Sequence, residues 1–148
     1  MYALPVQNLP KGKEWLYEVK LDGYRCLAGR DSTGVTLWSR RENLFTKQFP
    51  HIAQACEQLP PNTLVDGEIV ALDETGRVSF NLLQHHRSKA QALLFYAFEV
   101  LVYRGRILLK VPLWKRREIL SASCPCPRNS KRQNQPVKAT LGAWNAWF

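Results

Sequence analysis

Residues 92–103 read ALLFYAFEVLVY, a long apolar and aromatic run followed by Arg104-Gly105 and a short second stretch, 106–109. A membrane-spanning helix needs about 20 apolar residues, and no run in this chain approaches that, so no membrane partner is expected. The run reads instead as the inner strand of a central hairpin that turns at Gly105. Other strands must join it. Residues 14–20 (EWLYEVK), 24–30 (YRCLAGR) and 35–39 (VTLWS) alternate in a strand-like way, with Asp31-Ser32-Thr33-Gly34 as a turn. Residues 63–72 (TLVDGEIVAL) form a further strand, ending at the turn Asp73-Glu74-Thr75-Gly76.

Helices fall between them. One runs from about Pro50 to Gln58, with Ile52, Ala55, Cys56 and Leu59 on one face and proline in the first turn. Ser79 caps a short helix carrying Leu82, Leu83 and Gln84. Pro112 opens another through Leu120. Interleaved strands and short helices with tight turns give an α+β domain with antiparallel pairing. Residues 1–13, with Pro5, Pro10 and Gly12, read as a loop.

The 148 residues fit one domain with a real core, and 45% hydrophobic with 22% charged residues excludes disorder of the whole chain. No apolar segment of a secretory signal is present at the N-terminus, and a cytoplasmic protein is expected. Cys26 and Cys56 read as buried thiols, and Cys124-Pro-Cys126 has no second Cys or His pair for a zinc site. The net charge of +9 suits a polyanionic partner such as nucleic acid. From Ser121 onward the chain is polar and rich in Pro, Ser and Asn. Its basic residues there (Arg128, Lys131, Arg132, Lys138) have no acidic counterpart. Residues 1–120 are therefore expected to form the domain, and 121–148 an irregular basic tail. Oligomeric state is open at this level, with a monomer as the default expectation.

The stretch that carries chemistry is Glu18-Val19-Lys20-Leu21-Asp22-Gly23-Tyr24-Arg25. It contains K-x-D-G-x-R, four fixed residue types that chance supplies in roughly one chain in a thousand of this length. The bland alternative is a β-turn at Asp22-Gly23 flanked by solvated charges. The functional reading is that the turn lets the next strand return, so that Lys20 and Arg25 line one pocket. A lysine can attack the α-phosphorus of a nucleoside triphosphate and expel pyrophosphate. Only about one lysine in a thousand is neutral near pH 7, which costs roughly 4 kcal/mol unless the site favours the free amine.

Lys20-x-Asp22-Gly23-x-Arg25 resembles the first motif of the covalent nucleotidyltransferases, which include DNA ligases, RNA ligases and messenger-RNA capping enzymes. The resemblance implies that Lys20 is the nucleophile adenylated by ATP, that Arg25 contacts the ribose side, and that Glu18 accepts a hydrogen bond from the adenine amino group. Leu21 is placed in the nucleotide site by the same motif. Further matches follow in the family's order. Ser39-Arg40-Arg41 ahead of Phe49-Pro50 is similar to the second motif, with Arg40 holding the nucleotide. Asp66-Gly67-Glu68 is similar to the third, with Glu68 on the ribose or on a catalytic Mg2+. An unpaired Glu68 amid Leu64, Val65, Ile69 and Val70 would be costly if it were merely buried. Phe95-Tyr96-Ala97-Phe98-Glu99 resembles the next, with Phe98 stacking on adenine and Glu99 where the family more often has Asp.

Ser79-Phe80 with Gln84 and Arg87, and Pro112-Leu113-x-x-Arg116, look like bacterial ATP-dependent DNA ligases, especially the ligase component of end-joining systems. The resemblance covers roughly residues 10–120 and implies ATP, Mg2+ and nicked double-stranded DNA as cofactors and partners. His85 and His86 match no catalytic position and read as a solvated helix end. The family's later motifs, an E-G motif and W-x-K-x-K, do not occur after Leu120, and Trp144 and Trp147 have no lysine after them. No OB-fold domain is expected within these residues. Two functions compete at this level: an adenylation-domain fragment of a ligase, impaired by what it lacks, and a non-catalytic remnant that binds nucleotide or nucleic acid.

Overall fold

The computed structural model describes residues 6–12, 15, 20–85, 92–123, 139–140 and 143–144. Its centre is an antiparallel five-stranded sheet. The strands are β1 (Tyr24–Arg30), β2 (Val35–Ser39), β3 (Thr63–Leu72), β4 (Ala92–Tyr103) and β5 (Arg106–Ile107). They lie in the order β2-β1-β3-β4-β5. The helices α1 (Pro50–Cys56), α2 (Phe80–Gln84) and α3 (Leu113–Ser123) complete the domain. The class is α+β, as the interleaved pattern implies. Among the described residues no helix is long and apolar enough to cross a membrane.

The two turns fold as the sequence predicts, and for a shared reason. Asp31 Oδ1 accepts hydrogen bonds from the Thr33 and Gly34 amides at 2.7 and 3.1 Å. Asp73 Oδ1 accepts from the Thr75 and Arg77 amides, both at 2.9 Å. These carboxylates replace turn carbonyls, and the Thr33 and Thr75 hydroxyls donate to them at 2.6 and 2.7 Å; those hydroxyl bonds first, then the amides, hold both side-chain pKa values below the usual aspartate range.

β1 buries Cys26 and Ala28 and turns Arg25 to the opposite face. The central strands are covered on both faces, which is why β3 and β4 read as near-continuous apolar runs. One face, with Val65, Ile69, Ala71, Phe95 and Ala97, packs into the main core under α1, α2 and α3. The other carries Val70, Leu94 and Tyr96. α1 contributes Ile52 and Cys56 to the core, and its expected end at Gln58 retreats to Cys56, with Leu59 still buried beyond it. Ser79 caps α2 by accepting from the Leu82 amide at 3.4 Å. Cys26 and Cys56 are buried free thiols, and burial pushes Cys26 up to about 12.

Other elements also depart from expectation. β5 is shorter than 106–109, because Leu108 turns into the core and its carbonyl closes a turn with the Val111 amide at 2.8 Å. α3 continues through Ser123 rather than ending at Leu120, and the Ser123 hydroxyl donates to the Ile119 carbonyl. Within the expected irregular tail, β6 (Ala139–Thr140) pairs antiparallel with β7 (Ala143–Trp144). The expected strand over 14–20 falls almost wholly outside the described residues, as do Arg87, His86, Cys124 and Cys126.

Candidate active site

The motif residues open β1, and β1 pairs with β3 so that Arg25 stands opposite Glu68. Two motifs far apart in sequence thus become cross-strand neighbours. Gly23 sits at the entry, and its amide donates to Glu68 Oε1 at 3.0 Å. The sequence predicts a turn at this glycine. The structure gives a different reason: Gly23 is not among the residues with positive φ, but a Cβ there would lie 2.3 Å from the Ile69 carbonyl oxygen and 2.9 Å from Glu68 Cγ. Glycine is required by the close approach of β1 to β3.

Arg25 is held by a residue to which the sequence reading assigned no role. Its Nε and Nη2 donate to Asp66 Oδ1 and Oδ2, both at 2.6 Å, a two-pronged charge-assisted pair. That bonding raises the guanidinium pKa further. The guanidinium carbon also lies 5.5 Å from the centroid of the Phe98 ring, within cation–π range. Asp66 belongs to the D-G-E stretch already noted. Its signal was there, but only the strand register shows that it reaches Arg25.

Glu68 is half-buried, and burial is the main cause that raises its carboxyl above the usual glutamate range, against the opposing pull of Gly23, Arg25 and Lys20. Lys20 lies on the solvent side of this group. Its side chain is 88% exposed, and Nζ donates to Asp22 Oδ1 at 3.0 Å. The Asp22 hydrogen bond is the first cause that raises its pKa above the usual 10.5, with Asp22 and Glu68 charges adding to it. In this arrangement Lys20 is an ammonium.

A cleft of about 790 Å3 opens beside these groups. Gly23, Arg25 and Glu68 form its sheet wall, Arg40, Arg41 and Asn43 its loop wall, and Tyr24 and Phe45 supply aromatic surface. Ser39 shapes the loop: its hydroxyl oxygen accepts from the Arg41 and Asn43 amides at 3.2 and 3.0 Å. The cleft lies against one five-stranded sheet, not between two sheets.

The structure brings Arg25, Arg40 and Glu68 into that cleft. Lys20 is not among the residues lining it, and Phe98 and Leu21 lie apart, packed against Val70, Leu94 and Tyr96 on the second sheet face. Arg25 joins the two regions, facing the cleft and Phe98 at once. Glu18 lies outside the described residues. His85 is exposed, as the helix-end reading expected, with Nδ1 2.9 Å from the Asn81 carbonyl oxygen. Among the described residues no group of three His, Cys, Asp or Glu side chains could hold a metal ion.

The family described as "ATP dependent DNA ligase domain" matches residues 5–141, a stretch that runs past the boundary expected at Leu120. The multifunctional non-homologous end joining protein LigD of Pseudomonas aeruginosa is 36% identical over 120 residues, covering 79% of this chain and 14% of that protein. The bifunctional non-homologous end joining protein LigD of Bacillus subtilis is 36% identical over 145 residues, covering 83% of this chain and 24% of that protein. A solved structure titled "mycobacterial DNA ligase D complexed with ATP and MES" superposes with a TM-score of 0.64 at 35% identity, over 71% of this chain and 35% of that one. The chain thus spans between a seventh and a quarter of the length of these two curated relatives. With a family match over most of its length and a fold shared with a ligase domain, the chain belongs to the ATP-dependent DNA ligase domain family.

Proposed function

We propose that the cleft binds ATP and that Lys20 takes AMP from it, the first step of sealing nicked double-stranded DNA in end-joining repair. The observation that carries this reading is the junction at the start of β1. Gly23 donates to Glu68 there, Arg25 stands opposite Glu68 in the register, and Lys20 acts electrostatically on the same carboxylate. The reaction needs those groups within reach of one triphosphate.

The basic wall of Arg25, Arg40 and Arg41 suits phosphate oxygens. Asp66 engages Arg25 through Nε and Nη2, which leaves the Nη1 edge for a ribose hydroxyl. Phe98 and Leu21 offer an apolar face to the base, and Glu18 is assigned the adenine amino group by resemblance alone. In the transfer step the lone pair of Lys20 Nζ attacks the α-phosphorus. A phosphoramidate N–P bond forms, the bond from the α-phosphorus to the bridging oxygen breaks, and pyrophosphate leaves with the electron pair. The Lys20 proton must depart first, and the Asp22 pair opposes that. Arginines brought around a bound nucleotide work in the other direction.

Mg2+ fits the site as a shared ion and not as a caged one. It is commonly held by one or two carboxylates together with substrate phosphates, and Glu68 is the carboxylate placed in this cleft. Held by Glu68 together with the triphosphate, it would supply positive charge to stabilise the charge that develops in the transfer.

A second reading, nucleotide binding without transfer, draws on the exposed Lys20–Asp22 pair, which keeps the amine protonated. Incubation with ATP labelled at the α-phosphate, with Mg2+, separates the two. Slow labelling that survives denaturation, is acid-labile and is absent in Lys20→Ala supports transfer. Saturable ATP binding with no label after prolonged incubation supports the second reading.

A further inference from the structure

Two residues that the nucleotide reading does not use meet inside the protein. Glu99 follows Phe98 on β4 and Arg116 lies on α3. Their side chains are 10% and 6% exposed, and Arg116 Nη1 forms an ion pair with Glu99 Oε2. Arg116 Nε has no hydrogen-bond partner among the described residues. A buried pair with an orphaned donor is a poor source of stability, because desolvating both charges offsets their attraction. Its position offers another role.

In the β3–β4 ladder Gly67 pairs with Ala97 and Asp66 with Glu99, so Phe98 is the extra residue of a β-bulge. Bulges re-aim a side chain and interrupt the ladder that would otherwise fix it. The Phe98 ring here faces Arg25, and Arg25 is held by Asp66, the cross-strand neighbour of Glu99. Arg116, on α3, forms the ion pair that holds Glu99. The bulged ring is therefore flanked by two charge pairs, Arg25–Asp66 and Glu99–Arg116.

We propose that Glu99–Arg116 is a positioning pair for the nucleotide base: it fixes the bulge, and so the orientation of the Phe98 ring. This rests on the reading of Phe98 as the base platform, and the experiment separates the two. A 4-fluorophenylalanine is placed at position 98 in the 148-residue chain, with the native pair and with the apolar pair Glu99→Leu/Arg116→Met, chosen because such replacements commonly preserve a fold. Circular dichroism checks folding. Should that variant not fold, Glu99→Gln takes its place under the same readouts.

The fluorine resonance is expected to shift and broaden in the variant as the ring loses its fixed place beside Arg25. Calorimetric affinity for ATP is expected to fall about tenfold, the size of one aromatic stacking contact, while affinity for tripolyphosphate, which has no base, stays unchanged. A fluorine line identical in both proteins overturns the proposal, as does an equal loss for both ligands. If the native chain binds no ATP, the nucleotide reading has failed on its own, and the fluorine line still decides whether the pair positions Phe98.

Discussion

Arg25 and Asp66 lie fork against fork across β1 and β3, with both nitrogen–oxygen distances at 2.6 Å and the carboxylate buried. This pair sets the guanidinium between the cleft and the Phe98 ring. Asp66→Asn keeps the shape and removes the charge. It is expected to destabilise the domain by about 1.5–3 kcal/mol, the range for hydrogen bonds to charged groups, and to weaken ATP binding. Urea unfolding with titration calorimetry checks both, and an unchanged midpoint would mean that the pair is idle.

Gly23→Ala drives a methyl group toward the Ile69 carbonyl, 2.3 Å from the ideal Cβ position. β1 must shift away from β3, which breaks the Gly23 amide bond to Glu68. A loss of about 1–3 kcal/mol is expected, as for overpacking, together with loss of AMP transfer. Gly67→Ala meets the Tyr96 carbonyl at the same 2.3 Å and should cost a similar amount. Thermal unfolding of the two variants tests this; native-like stability in either would contradict the close-approach account.

Lys20 holds its proton above its usual 10.5, chiefly through the Asp22 hydrogen bond. The fraction of free amine therefore grows about tenfold per pH unit across the neutral and alkaline range. AMP transfer, where lysine deprotonation limits it, should rise with the same slope. Asp22→Asn removes the main cause and lowers the Lys20 titration. Carbon-13 NMR of the reductively methylated lysines reads this directly, and no change in the Lys20 midpoint would dismiss Asp22 as its partner.

Glu68 titrates above the usual glutamate range, mainly through burial. The folded chain then binds more protons than the unfolded one between the two pKa values, so this group lowers stability as pH rises through that window. Glu68→Gln is expected to raise the melting temperature at neutral pH and to leave it unchanged well below the carboxylate range, while abolishing AMP transfer. A neutral-pH loss of stability would reverse the sign of the argument.

Much of this was legible in the sequence because it is local. Periodicity placed β1, β2, β3 and β4, and the Asp31 and Asp73 turns follow from their own side chains. The motif order brought Arg25, Arg40 and Glu68 to one cleft. What stayed hidden depends on strand register. Pattern alone does not show that Phe98 is a bulged residue, that Asp66 reaches Arg25, or that Glu99 and Arg116 meet through α3. At Gly23 the local pattern shows a turn, while the close approach of β1 to β3 that excludes a Cβ depends on register.

Nick sealing should be beyond these 148 residues, because the sequence after Leu120 contains no W-x-K-x-K. One lost transition-state contact of that kind costs about 3–4 kcal/mol, and poor positioning of the nick adds to it. A gel assay on nicked duplex with ATP and Mg2+ should show no joined product. Joining that disappears in Lys20→Ala would show that the late motif is dispensable.

The central claim is that one lysine, at one position, carries the nucleotide. Peptide mapping by mass spectrometry after incubation with ATP and Mg2+ tests it most directly. The account predicts AMP on the peptide containing Lys20 and on no other lysine peptide. AMP on Lys11, Lys13 or Lys47 in place of Lys20, or an unmodified chain that nevertheless binds ATP to saturation, would contradict it.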